Sequence, residues 1–195
     1  MDIKPAEVMS CLRDAGVENW CLMGLHGYVG YLPMPRATQD VDIMVPHNQK
    51  RKAVKAISER WPELIKEELE PVVRFYDPAE VDLHGNRIPV IDLMLPWGRF
   101  QETILKEHVI EDGLTGRRFP TAEAAIVAKY AALISLTRKL DKKEQDAADL
   151  RRLICTVNPN FNLLKIQSLA GQVWEGGSEE ILRFIDSALN EKPFP

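Results

Sequence analysis

Apolar residues recur every three or four positions behind Pro5, at Ala6, Val8, Met9, Leu12 and Ala15, and the pattern stops at Gly16. That spacing predicts a short amphipathic helix with proline in its first turn. Residues 19–23 make a compact apolar run ending at Gly24, too short for an independent helix and long enough for a buried strand. A second helix is expected over 25–32, opening directly behind the glycine and broken by Pro33 and Pro35. Residues 40–45 alternate acidic and apolar side chains before Pro46, the pattern of a strand with one polar and one buried face. Helical spacing returns at Ala53, Val54, Ile57 and Trp61, with lysines and arginines opposite and a stop at Pro62, which predicts a surface crossover helix over 48–61.

Short β-like pieces follow at 72–76, 81–83 and 88–95, the last two joined by a turn at His84, Gly85 and Asn86. Residues 97–108 read as helix, and 111–119 as a turn-rich bridge holding Gly113 and Gly116. The character changes at Pro120. Thr121 can cap a helix rich in small packers (Ala124, Ala125, Ala128, Ala131, Ala132), and a further helix over 142–157 buries Leu150, Leu153 and Ile154 before Pro159. Two more helices are expected at 163–170 and 178–189, separated by Gly176 and Gly177, and there is no internal repeat. The expected class is α/β (α+β): a small mixed β-sheet flanked by helices over 1–119, with a helical C-terminal region over 120–195 packing against that core and closing one side of a cleft.

Length agrees with this division, since 195 residues allow one well-buried core with an appendage but not two large domains. With 45% hydrophobic and 28% charged residues, neither disorder nor a fibrous class is indicated. A net charge of −4 without one long basic run argues against a protein that binds duplexes through a broad phosphate-neutralising surface. Cys11, Cys21 and Cys155 are odd in number, widely spaced and without a C-x-x-C pair, so they read as free thiols, with Cys11 and Cys21 as small buried hydrophobes. The first ten residues hold no apolar core of a secretory signal and no stretch approaches a membrane span, so a cytoplasmic location is expected.

The candidate chemistry lies in the acidic strand. Side chains alternate faces along a strand, so Asp40 and Asp42 point to one side. Two adjacent carboxylates repel, and a bound divalent cation is the most economical compensation. Magnesium takes oxygen ligands, few carboxylates and substrate phosphates. Asp92 sits alone in the apolar run Ile88-Pro89-Val90-Ile91-Asp92-Leu93-Met94-Leu95 and would be expensive to bury unpaired, which makes it the natural third carboxylate. Metals held by such a triad could stabilise the attacking and leaving oxygens of an in-line displacement at phosphorus. Gly24, between the first strand and a helix start, allows the backbone to approach a phosphate.

These residues resemble a known superfamily. The run Leu22-Met23-Gly24 through Arg36-x-Thr38-x-Asp40-x-Asp42-Ile43 is similar to the signature of the nucleotidyltransferase fold, in particular the branch containing abortive-infection-type nucleotidyltransferase toxins and related small bacterial proteins. The likeness continues in Pro120-Thr121-Ala122-Glu123, Lys129, Arg138 and Gln145-Asp146-Ala147-Ala148-Asp149-Leu150, similar to the family's lysine, arginine and Lys-Asp-x-x-Asp-Leu helical motif. Matched pieces span residues 20 to about 153, with the chain between them matching in the order of elements only. The resemblance implies that Asp40, Asp42 and Asp92 are catalytic metal ligands, that Gly24 supports the nucleotide phosphates and that Lys129 approaches the nucleotide. It implies magnesium-dependent, or manganese-dependent, transfer of a nucleoside monophosphate from a nucleoside triphosphate such as ATP to RNA (transfer RNA included), protein or a small molecule. A toxin-antitoxin pair, with an antitoxin partner, is one setting. Two departures stand out: Leu25 replaces the usual glycine or serine behind the first glycine, and Gln145 stands where lysine is frequent. Leu25 favours the alternative of a catalytically silent nucleotide-binding or interaction module of the same fold.

Other residues carry two readings each. Arg36 and Thr38 could touch phosphate or base, or could respectively neutralise the aspartates and fix a turn. Lys129 lies among alanines on an inward-packing helix, which suggests that its ammonium emerges at a cleft. His26 reads as a local hydrogen-bonding residue. The groups Lys50-Arg51-Lys52-Lys55 and Arg138-Lys139-Lys142-Lys143 could guide a nucleic acid but read first as solvated helix faces. Asp146 and Asp149 are expected to pair with Arg138 or Arg152 and hold the helical region together.

Overall fold

The computed structural model describes residues 2–32 and 38–195. Helix α1 (Pro5–Asp14) starts at proline as its spacing requires, and leads to the two-residue strand β1 (Cys21–Leu22) and the one-turn helix α2 (Gly24–Gly27). The expected helix over 25–32 is thus cut to a single turn. A side chain at Gly27 would overlap the Leu22 carbonyl oxygen, so α2 lies hard against β1, and the chain leaves the helix at Tyr28. Strand β2 (Val41–Met44), helix α3 (Lys50–Arg60), β3 (Ile65–Glu68), β4 (Val72–Val81) and β5 (Arg87–Met94) follow. Strand β3 was not expected from sequence. The two short pieces at 72–76 and 81–83 are instead one long strand ending at Val81, whose pairing slips between Tyr76 and Val81, around Pro78.

The sheet order is β1-β2-β5-β4-β3. Strand β2 runs parallel to β5, and the other neighbours are antiparallel. After α4 (Arg99–Glu107), a hairpin of β6 (Val109–Glu111) and β7 (Arg118–Pro120) occupies the segment expected to be an irregular bridge. Four helices complete the chain: α5 (Ala122–Ile134), α6 (Leu140–Val157), α7 (Leu163–Ala170) and α8 (Gly177–Leu189). The Thr121 hydroxyl accepts the Ala124 N–H and caps α5.

Strand alternation decides what faces where. Val41, Ile43, Phe75, Ile91 and Leu93 enter one apolar cluster with α1 and α3. Their neighbours in sequence, Asp42, Met44, Arg74, Asp92 and Met94, therefore point to the opposite face. Helices α5 to α8 bury a second cluster there, which takes in Met44 together with Cys21, Met23, Leu25 and Tyr28. Asp42 and Asp92 stand next to that cluster, one on β2 and one on β5. Among the described residues no helix is long and apolar enough to cross a membrane.

Candidate metal and nucleotide site

The parallel register pairs Asp42 with Asp92 on adjacent strands, and Asp40 sits directly before β2. One carboxylate oxygen from each of the three lies within 4.8 Å of the others. The structure thus brings together the three aspartates singled out in the sequence. Thr38 donates its hydroxyl to Asp40 Oδ1, which fixes that carboxylate at the strand entrance. Arg36 lies outside the described residues.

Gly24 borders this cluster. Its φ of +56° is the left-handed region that favours glycine, and a Cβ there would overlap Oδ2 of Asp42. The Met23 N–H donates to the Asp42 carbonyl at 2.8 Å, binding the start of α2 to β2. Glycine at this point therefore makes room for the aspartate itself. Leu25, next in the chain, turns its side chain into the apolar cluster beneath α5, where it is 5% exposed.

Burial raises the Asp42 carboxyl to about 7; the charges of Asp40 and Asp92 add to the rise, while Lys129 and Arg138 oppose it. Burial also raises Asp92 to about 6, with Arg74 lowering it and Asp40 raising it further. Oxygen Oδ1 of Asp92 is buried and has no hydrogen-bond partner. Three crowded carboxylates, two of them holding protons more tightly than usual and one with an orphaned oxygen, form a donor set suited to a hard divalent cation.

Lys129 is 7% exposed, contrary to the expected opening at a cleft. Its ammonium donates to Asp146 at 2.8 Å and Asp149 at 2.9 Å, across from α5 to α6, and lies 5.9 Å from the Tyr28 ring centroid. The Arg138 Nε donates to Asp146 at 2.7 Å, and Arg152 stands 3.9 Å from Asp149. The acidic pair thus binds the helical region together through Arg138 and Arg152 as expected, but also through a lysine assigned elsewhere. His26 feels both Asp40 and Arg117, though burial is the main cause of its lowered pKa.

Arg74 was missed. It lies opposite Asp92 on β4, with its Nε 3.5 Å from Asp92 Oδ1. The signal was a lone charge in the apolar run Val72-Val73-Arg74-Phe75-Tyr76, the same anomaly that marked Asp92.

No protein-family model matches the sequence, and no curated protein matches it. Solved structures do. An antigenic nucleotidyltransferase-like protein from Paracoccidioides brasiliensis superposes with a TM-score of 0.51 at 13% identity, covering 96% of this chain and 90% of its own. The antibiotic-resistance factor ANT(2″)-Ia superposes with a TM-score of 0.50 at 16% identity, covering 98% and 97%. Nearly end-to-end correspondence at such low identity establishes architecture and nothing finer: this chain has the nucleotidyltransferase fold.

Proposed function

We propose that the protein transfers a nucleoside monophosphate from a nucleoside triphosphate to an acceptor hydroxyl, with magnesium or manganese at Asp40, Asp42 and Asp92. The observation that carries this reading is the convergence of the three carboxylates, from two parallel strands, on one point of the fold. A divalent cation there would supply charge neutralisation at the transferring phosphate and at the leaving pyrophosphate. The residues themselves do the rest. Asp42, against Gly24 and the start of α2, and Asp40 beside it would face the nucleotide. Asp92, on the neighbouring strand β5, would receive the proton of the acceptor hydroxyl. Lys129, buried between Asp146 and Asp149, and Arg138, half-exposed beside Asp146, direct charge toward Asp42 from the helical side, and Arg138 is the one of the two that a triphosphate entering there would meet. RNA, including transfer RNA, protein and small molecules are the acceptor classes to be separated by experiment, and the toxin of a toxin-antitoxin pair is the biological setting in which an antitoxin partner would be sought.

A second reading, a binding module without turnover, is favoured by Leu25, which puts an apolar side chain into the core at the position where the resemblance leads one to expect glycine or serine. One experiment separates the two. The protein is incubated with each labelled triphosphate, magnesium and total cellular RNA or protein, beside an Asp40→Ala/Asp42→Ala control. Label transfer and pyrophosphate release that need both aspartates are expected. Magnesium-dependent nucleotide binding with no release for any acceptor would favour the silent module.

A further inference from the structure

The strand registers align four charged side chains in one rung across the sheet: Asp42 on β2, Asp92 on β5, Arg74 on β4 and Glu67 on β3. Arg74 is the one cation in that rung. Its Nε stands 3.5 Å from Asp92 Oδ1, yet both atoms are buried and neither makes a hydrogen bond. On its other side, Glu67 accepts the Tyr76 hydroxyl at 2.6 Å. The guanidinium is thus placed by strand register between two carboxylates, in ion-pair range of Asp92 and beside the Tyr76 hydroxyl. Lys129 and Arg138, the cations whose charge lowers the Asp42 pKa, are bound to Asp146 and Asp149. They attract Asp42 from the helical side and leave Asp92 to Arg74.

We infer that Arg74 is a positioning residue of the site, the counter-ion that holds Asp92 in place and limits how tightly the three aspartates take a divalent cation. The inference rests on the metal-site reading proposed above. A guanidinium a few ångströms from a metal ligand repels the entering cation and competes for the same oxygen. Removing it should therefore tighten metal binding, whereas a merely structural loss would weaken it. Loose binding of the free metal favours a site that fills when the metal arrives with its nucleotide.

The test is calorimetric titration of Mn2+ alone into the metal-free protein at pH 8, above the raised Asp42 and Asp92 values of about 7 and about 6 so that protons compete little, for wild type, Arg74→Met, Arg74→Gln, Arg74→Lys, Asp92→Asn and the Arg74→Met/Asp92→Asn double variant. Arg74→Met and Arg74→Gln are expected to bind Mn2+ about tenfold more tightly, the scale set by one unit charge at this range in a partly solvated site. Arg74→Lys should stay near wild type because it keeps the charge. In the Asp92→Asn background the effect of Arg74→Met should shrink, because only the direct repulsion of the cation is left to remove. Equal or weaker Mn2+ binding by a folded Arg74→Met or Arg74→Gln protein, judged by circular dichroism, would overturn the role of Arg74 alone. Failure of folded wild type to bind Mn2+ would overturn the metal-site reading beneath it, so the two failures are told apart.

Discussion

Gly24 and Asp42 share one small volume: the hydrogen on the Gly24 Cα leaves the space that Asp42 Oδ2 occupies, and any Cβ would collide with that oxygen. Gly24→Ala should therefore act twice. The left-handed φ of +56° costs an alanine about 1 to 2 kcal/mol, and the methyl group pushes the Asp42 carboxylate off its position. The expected outcome is a lower thermal midpoint and at least tenfold weaker Mn2+ binding. Unchanged Mn2+ affinity in the folded variant would show that Asp42 need not sit against α2.

The raised Asp42 pKa gives a pH dependence whose sign is opposite to that of most buried aspartates in ion pairs. In the unfolded chain the carboxyl ionises near 3.8, and in the folded protein near 7. Between these values the folded state binds the extra proton, so stability is present at low pH and falls as pH rises from about 4 to about 7, then levels off. Asp92, raised to about 6, acts in the same direction. Metal-free Asp42→Asn should thus be more stable than wild type at pH 8 and no more stable at pH 4, measured by urea unfolding. Adding Mn2+ at pH 8 should reverse the order, because the cation replaces the missing proton.

The parts of this fold legible in the sequence are those written in local periodicity. The alternation at 40–45 and the lone aspartate among apolar residues at 88–95 identified β2 and β5, and with them the three carboxylates. Helices α3 and α6 showed their apolar faces in the same way, α5 its run of small helix formers behind Thr121, and α7 and α8 the glycine break between them. What stayed hidden depends on contacts distant along the chain. Strand β3 reads Ile-Lys-Glu-Glu, an edge strand in which charge outweighs any strand pattern. Helix α2 is a single turn packed so closely on β1 that a side chain at Gly27 would meet the Leu22 carbonyl, a contact invisible in spacing. The burial of Lys129 follows from aspartates 17 and 20 residues further on, which α5–α6 packing brings to it.

Lys129 illustrates how a residue's cost can be separated from its function. Asp146 and Asp149 are each 1% exposed, and both accept from its ammonium. Lys129→Met leaves two buried carboxylates short of a cation, a change that costs about 3 to 5 kcal/mol when one partner of a buried pair is removed. Chemical unfolding should show that loss. Lys129→Met/Asp149→Asn should recover part of it, since the second change removes a charge left without this partner. A recovery in stability without recovery of nucleotide affinity, measured where both variants are folded, would assign Lys129 a nucleotide contact beyond its structural one. No loss of stability in Lys129→Met would contradict the buried network.

Leu25 poses the question of whether the phosphate-facing chemistry has been lost through its side chain or was never supplied there. Its side chain packs in the cluster that contains Met23, Tyr28 and Ala124, and its direction is set by the one-turn helix pinned between Asp42 and Leu22. A serine introduced at 25 on this backbone would aim its hydroxyl into the same apolar cluster, away from Asp42. Leu25→Ser should accordingly lose about 2 to 5 kcal/mol of stability, as other large-to-small core changes do, with an added penalty for a buried hydroxyl without a partner. It should gain no affinity for a magnesium-nucleotide complex, measured by calorimetry at a temperature where the variant is folded. Tighter nucleotide binding in Leu25→Ser would mean that α2 rotates when nucleotide enters, and that position 25 controls turnover directly. Unchanged affinity would place any phosphate contact on the backbone N–H groups behind Gly24, which Leu25 leaves intact.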